Sequence, residues 1–205
     1  RSVPYFVESD WSAASYWYQI MALSEKAEIT LDGLFGESYQ GDSAVAALFE
    51  QLGVETIYEE KRVRLRKTGR ITKYMEYNFV NQPDLAQTFV VTCALLGVSF
   101  RFTGLQSLKI KETDRIAALI KELGKLGYLI NEENDSVLYW HGERGEADAC
   151  PAIDTYEDHR MAMAFAPASM VMPEIRINEP QVVSKSYPHY WTHLEEAGFT
   201  LTEVK

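Results

Sequence analysis

The sequence has few of the features that mark secreted, membrane-spanning or nucleic-acid-binding proteins. Its only two cysteines, Cys93 and Cys150, form neither a CxxC pair nor a disulfide framework. The longest apolar run, residues 89–100, is too short to span a bilayer, and the first ten residues show no signal-peptide pattern. Basic residues number 20 against 30 acidic ones, which argues against nonspecific binding to nucleic acid. Together these absences predict a cytoplasmic protein with reduced thiols.

The sequence contains an internal repeat. Asp10, Asp84 and Asp158 are evenly spaced, each 74 residues after the one before, and each precedes a run of small and apolar residues. Aspartate at a helix start can accept hydrogen bonds from the free backbone N–H groups, so each is a candidate N-cap. A second helix follows in every unit, and we expect these helices to end at three glycines. The glycines are Gly53, Gly127 and Gly198.

Strand-like runs separate and follow the helices. "AEITLDGL", "VSFRFTGL" and "EIRINEP" lie between the two helices of each unit, and hairpin-like pairs follow the second helix in the first two units. Each unit therefore reads helix, strand, helix, strand, strand, and the third stops early. Because units this small cannot bury an apolar face alone, copies should pack around one core. We predict a single α/β domain over residues 1–205 with pseudo-threefold symmetry, in which the apolar first helices are buried and the amphipathic second helices are peripheral.

Basic residues occur at the predicted helix starts. Lys111 and Arg115 flank one second helix, Arg160 follows the start of a first helix, and Lys185 precedes the last helix. Helix N-termini already carry partial positive charge, so added cations are unfavourable there unless an anion binds. A single such residue is most simply a solvated surface group. Four at related positions favour a phosphate or carboxylate site.

Two acidic residues near these cations have two open interpretations each. Glu112 is either a salt-bridge partner or an acid/base group. Asp84 is either an N-cap, as its spacing from Asp10 and Asp158 suggests, or a catalytic group. The spacing alone does not distinguish these roles.

Two further motifs are not interpreted as functional. "GESYQGDS", residues 36–43, has the glycine spacing of a P-loop, but Asp42 stands where the lysine is required. A loop leading to a capped helix explains it better. His189 and His193 have the i, i+4 spacing of a metal pair, but no third ligand is evident, so we predict no metal site. The aromatic residues 16–18 are expected to pack in the core.

Several segments together resemble a known family. "KETDR" (residues 111–115) and "DHRMAM" (158–163), with "ESDWSAASYW", "QPDLAQT" and "VSKSYP" in the same order, are similar to the signature segments of the 5-enolpyruvylshikimate-3-phosphate (EPSP) synthases. The resemblance covers essentially the whole chain. It implies a fold of two similar domains, each built from three βαβαββ units. It also implies that these residues are the carboxy-terminal half, forming one domain, and the lack of an initiator methionine fits that expectation.

The resemblance also implies an activity. EPSP synthases move the enolpyruvyl group of phosphoenolpyruvate to the 5-hydroxyl of shikimate 3-phosphate and release phosphate, a step toward chorismate and the aromatic amino acids. They use no metal or organic cofactor. The other domain of the same chain supplies a further lysine and arginine for phosphoenolpyruvate, together with a serine- and glutamine-rich patch for shikimate 3-phosphate. We therefore expect this piece to fold but to be inactive alone.

By position, the resemblance assigns roles to residues that face shikimate 3-phosphate and the transferred protons. Asp84 corresponds to the base that contacts the 5-hydroxyl, and Lys111 to a lysine near that hydroxyl and the phosphate ester. Glu112 matches a group implicated in proton transfer at the phosphoenolpyruvate methylene. Ser107 stands where the family often has an asparagine that contacts shikimate 3-phosphate, and its hydroxyl can still form a hydrogen bond.

The remaining matches concern phosphoenolpyruvate. Arg115, Arg160 and Lys185 correspond to the cations that hold this substrate, and His159 lies beside them without an assigned role. Three other interpretations stay open. The chain could belong to the related transferase that acts on UDP-N-acetylglucosamine, could be a non-catalytic anion-binding module, or could be a purely structural repeat domain.

Overall fold

A computed structural model describes residues 6–204, which form a mixed α/β structure with six α-helices and nine β-strands. The helices are α1 (Trp11–Leu23), α2 (Val45–Glu50), α3 (Ala86–Leu96), α4 (Arg115–Lys125), α5 (His159–Phe165) and α6 (Tyr190–Glu196). The strands are β1 (Ile29–Asp32), β2 (Leu52–Tyr58), β3 (Arg62–Ile71), β4 (Tyr74–Asn78), β5 (Ser99–Thr103), β6 (Asn131–Glu133), β7 (Val137–Trp140), β8 (Ala152–Ile153) and β9 (Arg176–Ile177). Residues 1–5 of the stretch inspected for a signal peptide lie outside the described part.

The strands form three small sheets. The first has the order β1-β3-β2 and is antiparallel throughout. The second has the order β4-β5-β7-β6, with β4 and β5 parallel and the other pairs antiparallel. The third is the parallel pair β8-β9. Both predicted hairpins are confirmed as β2–β3 and β6–β7. Sequence reading missed β4 and β8, because β4 is an edge strand with a single fully buried side chain, Met75, and β8 has only two residues.

The buried helices lie where the sequence predicts them. Helix α3 packs against both α1 and α5, and residues 86–94 of α3 are all buried. Helix α4 is amphipathic as predicted: Ile116, Leu119 and Leu123 face the core, whereas Lys121 is exposed. Within residues 6–204, no helix combines the length and apolar character needed to cross a bilayer.

The helix starts differ from the simple capping prediction. Asp10 and Asp158 are N-caps, since their carboxylates accept hydrogen bonds from the backbone N–H of Ser12 and Arg160, both at 2.8 Å. The N-cap interpretation of Asp84 is wrong. The chain is already helical there, in a 3-10 turn (Pro83–Leu85) that precedes α3, so the Asp84 carboxylate is free for other contacts.

The predicted helix ends are partly confirmed. Gly127 and Gly198 follow α4 and α6 in the left-handed conformation, with φ of +79° and +98°. Gly53 also has positive φ but lies inside β2, at a register irregularity, because α2 already ends at Glu50. The last helix begins at Tyr190 rather than near Ser186. The intervening Pro188 restricts the residue before it to extended conformations, which explains the later start.

Candidate active site

The starts of helices α3, α4 and α5 meet around one carboxylate. Asp84 lies 2.9 Å from the Arg160 guanidinium, 3.4 Å from that of Arg115 and 3.6 Å from the Lys111 ammonium. These three cations come from the segment before α4, the first residue of α4 and the second residue of α5. The cluster is therefore assembled from residues distant in sequence, and the Asp84 side chain remains 32% exposed.

Arg115 forms the floor of this cluster. Its side chain is only 1% exposed, and its Nε donates to Asp158 Oδ2 at 2.6 Å, while Nη2 donates to Glu112 Oε2 at 2.7 Å. Asp158 is fully buried and also caps α5, so one carboxylate both starts that helix and fixes the guanidinium. Removing Asp158 would leave the buried guanidinium with only the partly exposed carboxylates of Glu112 and Asp84, and breaking a buried ion pair in this way is strongly unfavourable.

The electrostatics keep the two predicted catalytic carboxylates ionised. Burial favours the neutral form of Asp84, but the positive charges of Arg160, Lys111 and Arg115 outweigh burial and lower its pKa. Burial likewise opposes ionisation of Glu112, yet its own backbone N–H and the charge of Arg115 lower its pKa below the usual value. Both groups are therefore anionic at neutral pH.

Arg160 is mostly buried beside Tyr16 and Asp84. Its side chain is 13% exposed, and although burial opposes its charge, nearby Tyr16 and Asp84 raise its pKa. Burial raises the pKa of Tyr16 to about 12. The Tyr16 hydroxyl makes no hydrogen bond within residues 6–204, and neither does Nδ1 of His159. Burial and the charge of Arg160 lower the pKa of His159, so this imidazole is neutral at pH 7.

Five of the seven residues singled out from the sequence come together, and two do not join them. Lys185 is exposed, and its ammonium donates to the Glu157 carbonyl at 3.0 Å, next to Asp158 but without a salt bridge in the described part of the chain. Ser107 is half-buried in the 3-10 turn Gln106–Ile110, and its hydroxyl forms no hydrogen bond to any described residue. The five that meet are Asp84, Lys111, Glu112, Arg115 and Arg160.

The sequence predicted a concentration of positive charge at these helix starts, but the structure shows a cluster in which cations alternate with carboxylates. Each of the three cations that meet is paired with at least one carboxylate, and three carboxylates take part: Asp84, Glu112 and Asp158. This is favourable because helix starts crowded with cations would repel one another without counter-charges. An anionic ligand entering here would exchange one set of ion pairs for another.

Sequence reasoning missed two contributors. Asp42, expected in a loop before a capped helix, does not cap α2; its carboxylate instead accepts a hydrogen bond from the hydroxyl of Ser12. Burial, and to a lesser degree the negative charge of Asp84, raise the pKa of Asp42. The second is the ionic role of Asp158, which the sequence predicted only as an N-cap; its ion pair with Arg115 spans 43 residues and has no local sequence signal.

The cluster suits anion binding and proton transfer. Guanidinium groups match the oxygens of phosphate and carboxylate, and Asp84 is an ionised, partly exposed carboxylate among them. In residues 6–204 no group of three or more His, Cys, Asp or Glu is arranged to hold a metal ion. His193 of the possible metal pair instead places Nδ1 2.9 Å from the Tyr187 hydroxyl.

Comparisons with known proteins identify the family and the fold. The family model described as EPSP synthase (3-phosphoshikimate 1-carboxyvinyltransferase) matches residues 1–194. A 3-phosphoshikimate 1-carboxyvinyltransferase of Bacteroides fragilis strain YCH46 is 66% identical over 96% of this chain and 48% of its own length. One from Neisseria gonorrhoeae is 34% identical over 97% of this chain and 44% of its own. The chain thus spans about half the length of the curated relatives it matches.

Solved structures show the same fold. EPSP synthase from Acinetobacter baumannii superposes with a TM-score of 0.75 at 22% identity, covering 95% of this chain and 47% of that one. The enolpyruvyl transferase NikO from Streptomyces tendae gives a TM-score of 0.64 at 13% identity over 94% of this chain and 43% of that one. These structural similarities establish the fold, and the family match extends over nearly all of the sequence. The chain belongs to the EPSP synthase family.

Proposed function

We propose that this chain forms one domain of an enzyme that transfers the enolpyruvyl group of phosphoenolpyruvate to the 5-hydroxyl of shikimate 3-phosphate and releases phosphate. The observation that carries the proposal is the contact of Asp84 with three cations from the starts of different helices. Because relatives are about twice as long, we propose that a second, similar domain completes the site. The order of helices and strands supports a pseudo-threefold arrangement of βαβαββ units in this domain.

In this proposal the cations hold phosphoenolpyruvate. Arg160 and Arg115 offer guanidinium forks to its phosphate and carboxylate, and the exposed Lys185, held by the Glu157 carbonyl next to Asp158, supplies a further positive charge. Developing negative charge on the departing phosphate would be stabilised by groups already in place, which is often the largest contribution to catalysis. Closing a second domain over the ligands would exclude water and strengthen these interactions.

The carboxylates and Lys111 carry the protons. Asp84, anionic at pH 7, accepts the proton of the 5-hydroxyl as that oxygen bonds to C2 of phosphoenolpyruvate, and Glu112, protonated when the anionic substrates bind beside it, donates a proton to C3. In the elimination Glu112 takes a proton back from C3 as the bond from C2 to the phosphate oxygen breaks, and Asp84 passes its proton to the departing phosphate. Lys111 lies beside Asp84 and binds shikimate 3-phosphate together with Ser107.

The free thiols of Cys93 and Cys150 support a reducing, cytoplasmic location.

Reconstitution with a relative tests the proposal. The amino-terminal half of the Bacteroides fragilis relative is combined with this chain, and phosphate release from phosphoenolpyruvate and shikimate 3-phosphate is measured. We expect turnover only when both pieces are present, and no turnover with UDP-N-acetylglucosamine as acceptor. Normal turnover by the isolated chain would contradict the need for a second domain.

Substitution of the two carboxylates separates an enzyme from an anion-binding module. Asp84→Ala and Glu112→Ala in the reconstituted enzyme should each lower kcat by roughly 10²-fold or more, the usual contribution of a general acid or base. Unchanged kcat in both variants would favour a binding module instead.

A further inference from the structure

Helix α4 contacts the segment before α5 at three levels. At its first residue, Arg115 pairs with Asp158. Two turns later, Glu122 accepts hydrogen bonds from the Tyr156 hydroxyl at 2.5 Å and from the Asp154 backbone N–H at 3.0 Å. These two α4 residues are seven positions apart and so lie on one face of the helix. At the far end, Lys125 donates to the carbonyl of residue 152 at 2.7 Å.

The segment held in this way contains a strained turn. Tyr156 and Glu157 are consecutive non-glycine residues with φ of +54° and +57°. Such left-handed residues cost free energy and persist only where surrounding contacts enforce them. The turn leads directly into Asp158, whose backbone N–H donates to Thr155 O at 2.9 Å and whose carboxylate anchors Arg115.

Contacts on two sides enforce the turn. Glu122 is fully buried and directs one oxygen at Tyr156, while its other oxygen is shared between Asp154 and Lys125, which lies 2.6 Å away. On the outer side, Lys185 donates to the Glu157 carbonyl. A buried carboxylate with all its contacts satisfied is a rigid support, and losing one contact is costly.

We propose that Glu122 and Tyr156 are positioning residues, whose hydrogen bond holds the strained turn so that Asp158 and Arg160 meet Arg115 and Asp84. This rests on the function proposed above. Neither residue belongs to the ion cluster, so their effect is transmitted through the backbone of residues 156–160. The alternative is that this bond contributes only to general stability.

A matched pair of variants separates the two. Tyr156→Phe removes only the hydroxyl that Glu122 accepts. Tyr18→Phe removes a comparable hydroxyl, that of a fully buried tyrosine 2.8 Å from Thr56 Oγ1, remote from the strained turn. Amide hydrogen exchange is measured on both variants of the chain. The KM for phosphoenolpyruvate and kcat are measured after reconstitution with the relative's amino-terminal half.

For Tyr156→Phe we expect exchange of the amides at residues 158–162 to accelerate selectively. The KM for phosphoenolpyruvate should rise about tenfold, the equivalent of one lost hydrogen bond to a charged group, while Tyr18→Phe leaves KM within about twofold. If exchange in Tyr156→Phe instead rises evenly over the domain, or changes no more than in Tyr18→Phe, the positioning role is refuted. If the unsubstituted pair shows no turnover, the proposed function fails, and the exchange comparison still decides the positioning role.

Discussion

Asp10 and Asp84 occupy equivalent positions in the sequence repeat, but their side chains make different contacts. Asp10 caps α1 through the Ser12 N–H and forms no salt bridge within the described residues. Asp84 caps nothing and contacts three cations. The difference arises because Pro83 begins the helical turn one residue before Asp84, whereas α1 begins one residue after Asp10. Neighbours before α4, on α4 and on α5 supply the positive charge. The repeated aspartate therefore recurs at the start of each first helix, and the neighbouring residues determine whether it caps the helix or forms ion pairs.

Asp158 combines both roles. It caps α5 and is the fully buried partner of Arg115. The three aspartates thus form a graded series: a cap, an ion partner, and a residue that is both. Substitution by asparagine keeps capping ability but removes charge, whereas alanine removes both, so the two contributions can be measured separately.

The largest effect is expected for Asp158→Asn. This variant still caps α5 but leaves the Arg115 guanidinium, 1% exposed, without its buried counter-charge. We predict a loss of about 3–5 kcal/mol in the free energy of unfolding, measured by urea denaturation. Asp10→Asn is the matched control and should change stability by less than about 0.5 kcal/mol. Equal losses in the two variants would show that the Arg115 pair contributes nothing beyond the cap.

An intermediate effect, dependent on pH, is expected for Asp84→Asn. The folded pKa of Asp84 is lowered, so its ionisation stabilises the fold fully above the ordinary carboxyl pKa of about 3.9. That contribution is lost as pH falls through the lower folded pKa. Wild type should therefore exceed Asp84→Asn in stability at pH 5–7 and lose this advantage progressively toward pH 2. Urea denaturation across this range measures it, and a difference that does not vary with pH would be inconsistent with an ionised Asp84 in the cluster.

The smallest effect is expected for Asp10→Ala. Only the cap on α1 is lost, so stability should fall by about 1 kcal/mol, with little change in phosphoenolpyruvate binding. Thermal and urea denaturation test the first part, and calorimetric titration tests the second. A loss as large as that of Asp158→Asn would mean that Asp10 has an ionic role that its contacts do not show.

The fold was largely predictable because its signals are local. Apolar runs identified the buried helices α1, α3 and α5, and alternating patterns identified both hairpins. Short elements escaped prediction: β4 and β8 are defined by backbone pairing to β5 and β9 rather than by their own side chains. The late start of α6 follows from Pro188, which a purely periodic reading overlooked.

The sequence identified most of the residues of the candidate site but not how those residues pair with one another. Helix-start position selected Lys111, Arg115 and Arg160, but also Lys185, which does not join them. The residues alone left the roles of Asp84 and Glu112 open, and the family resemblance assigned them catalytic roles. Arg115 and Glu112 are only three residues apart, but Asp84 meets its three cations over 27 to 76 residues, which no local pattern contains. For the same reason the support from Glu122 to Tyr156, 34 residues apart, appeared only in the structure.

Titration of the ¹⁵N-labelled chain with phosphoenolpyruvate, followed by amide chemical shifts, tests most directly whether the three helix starts form one anion site. We predict that amides near Asp84, at residues 111–116 and at residues 158–161 shift together with a single dissociation constant, and that Arg160→Ala weakens all three responses. Shifts confined to one of these segments, or located elsewhere in the domain, would contradict a shared site.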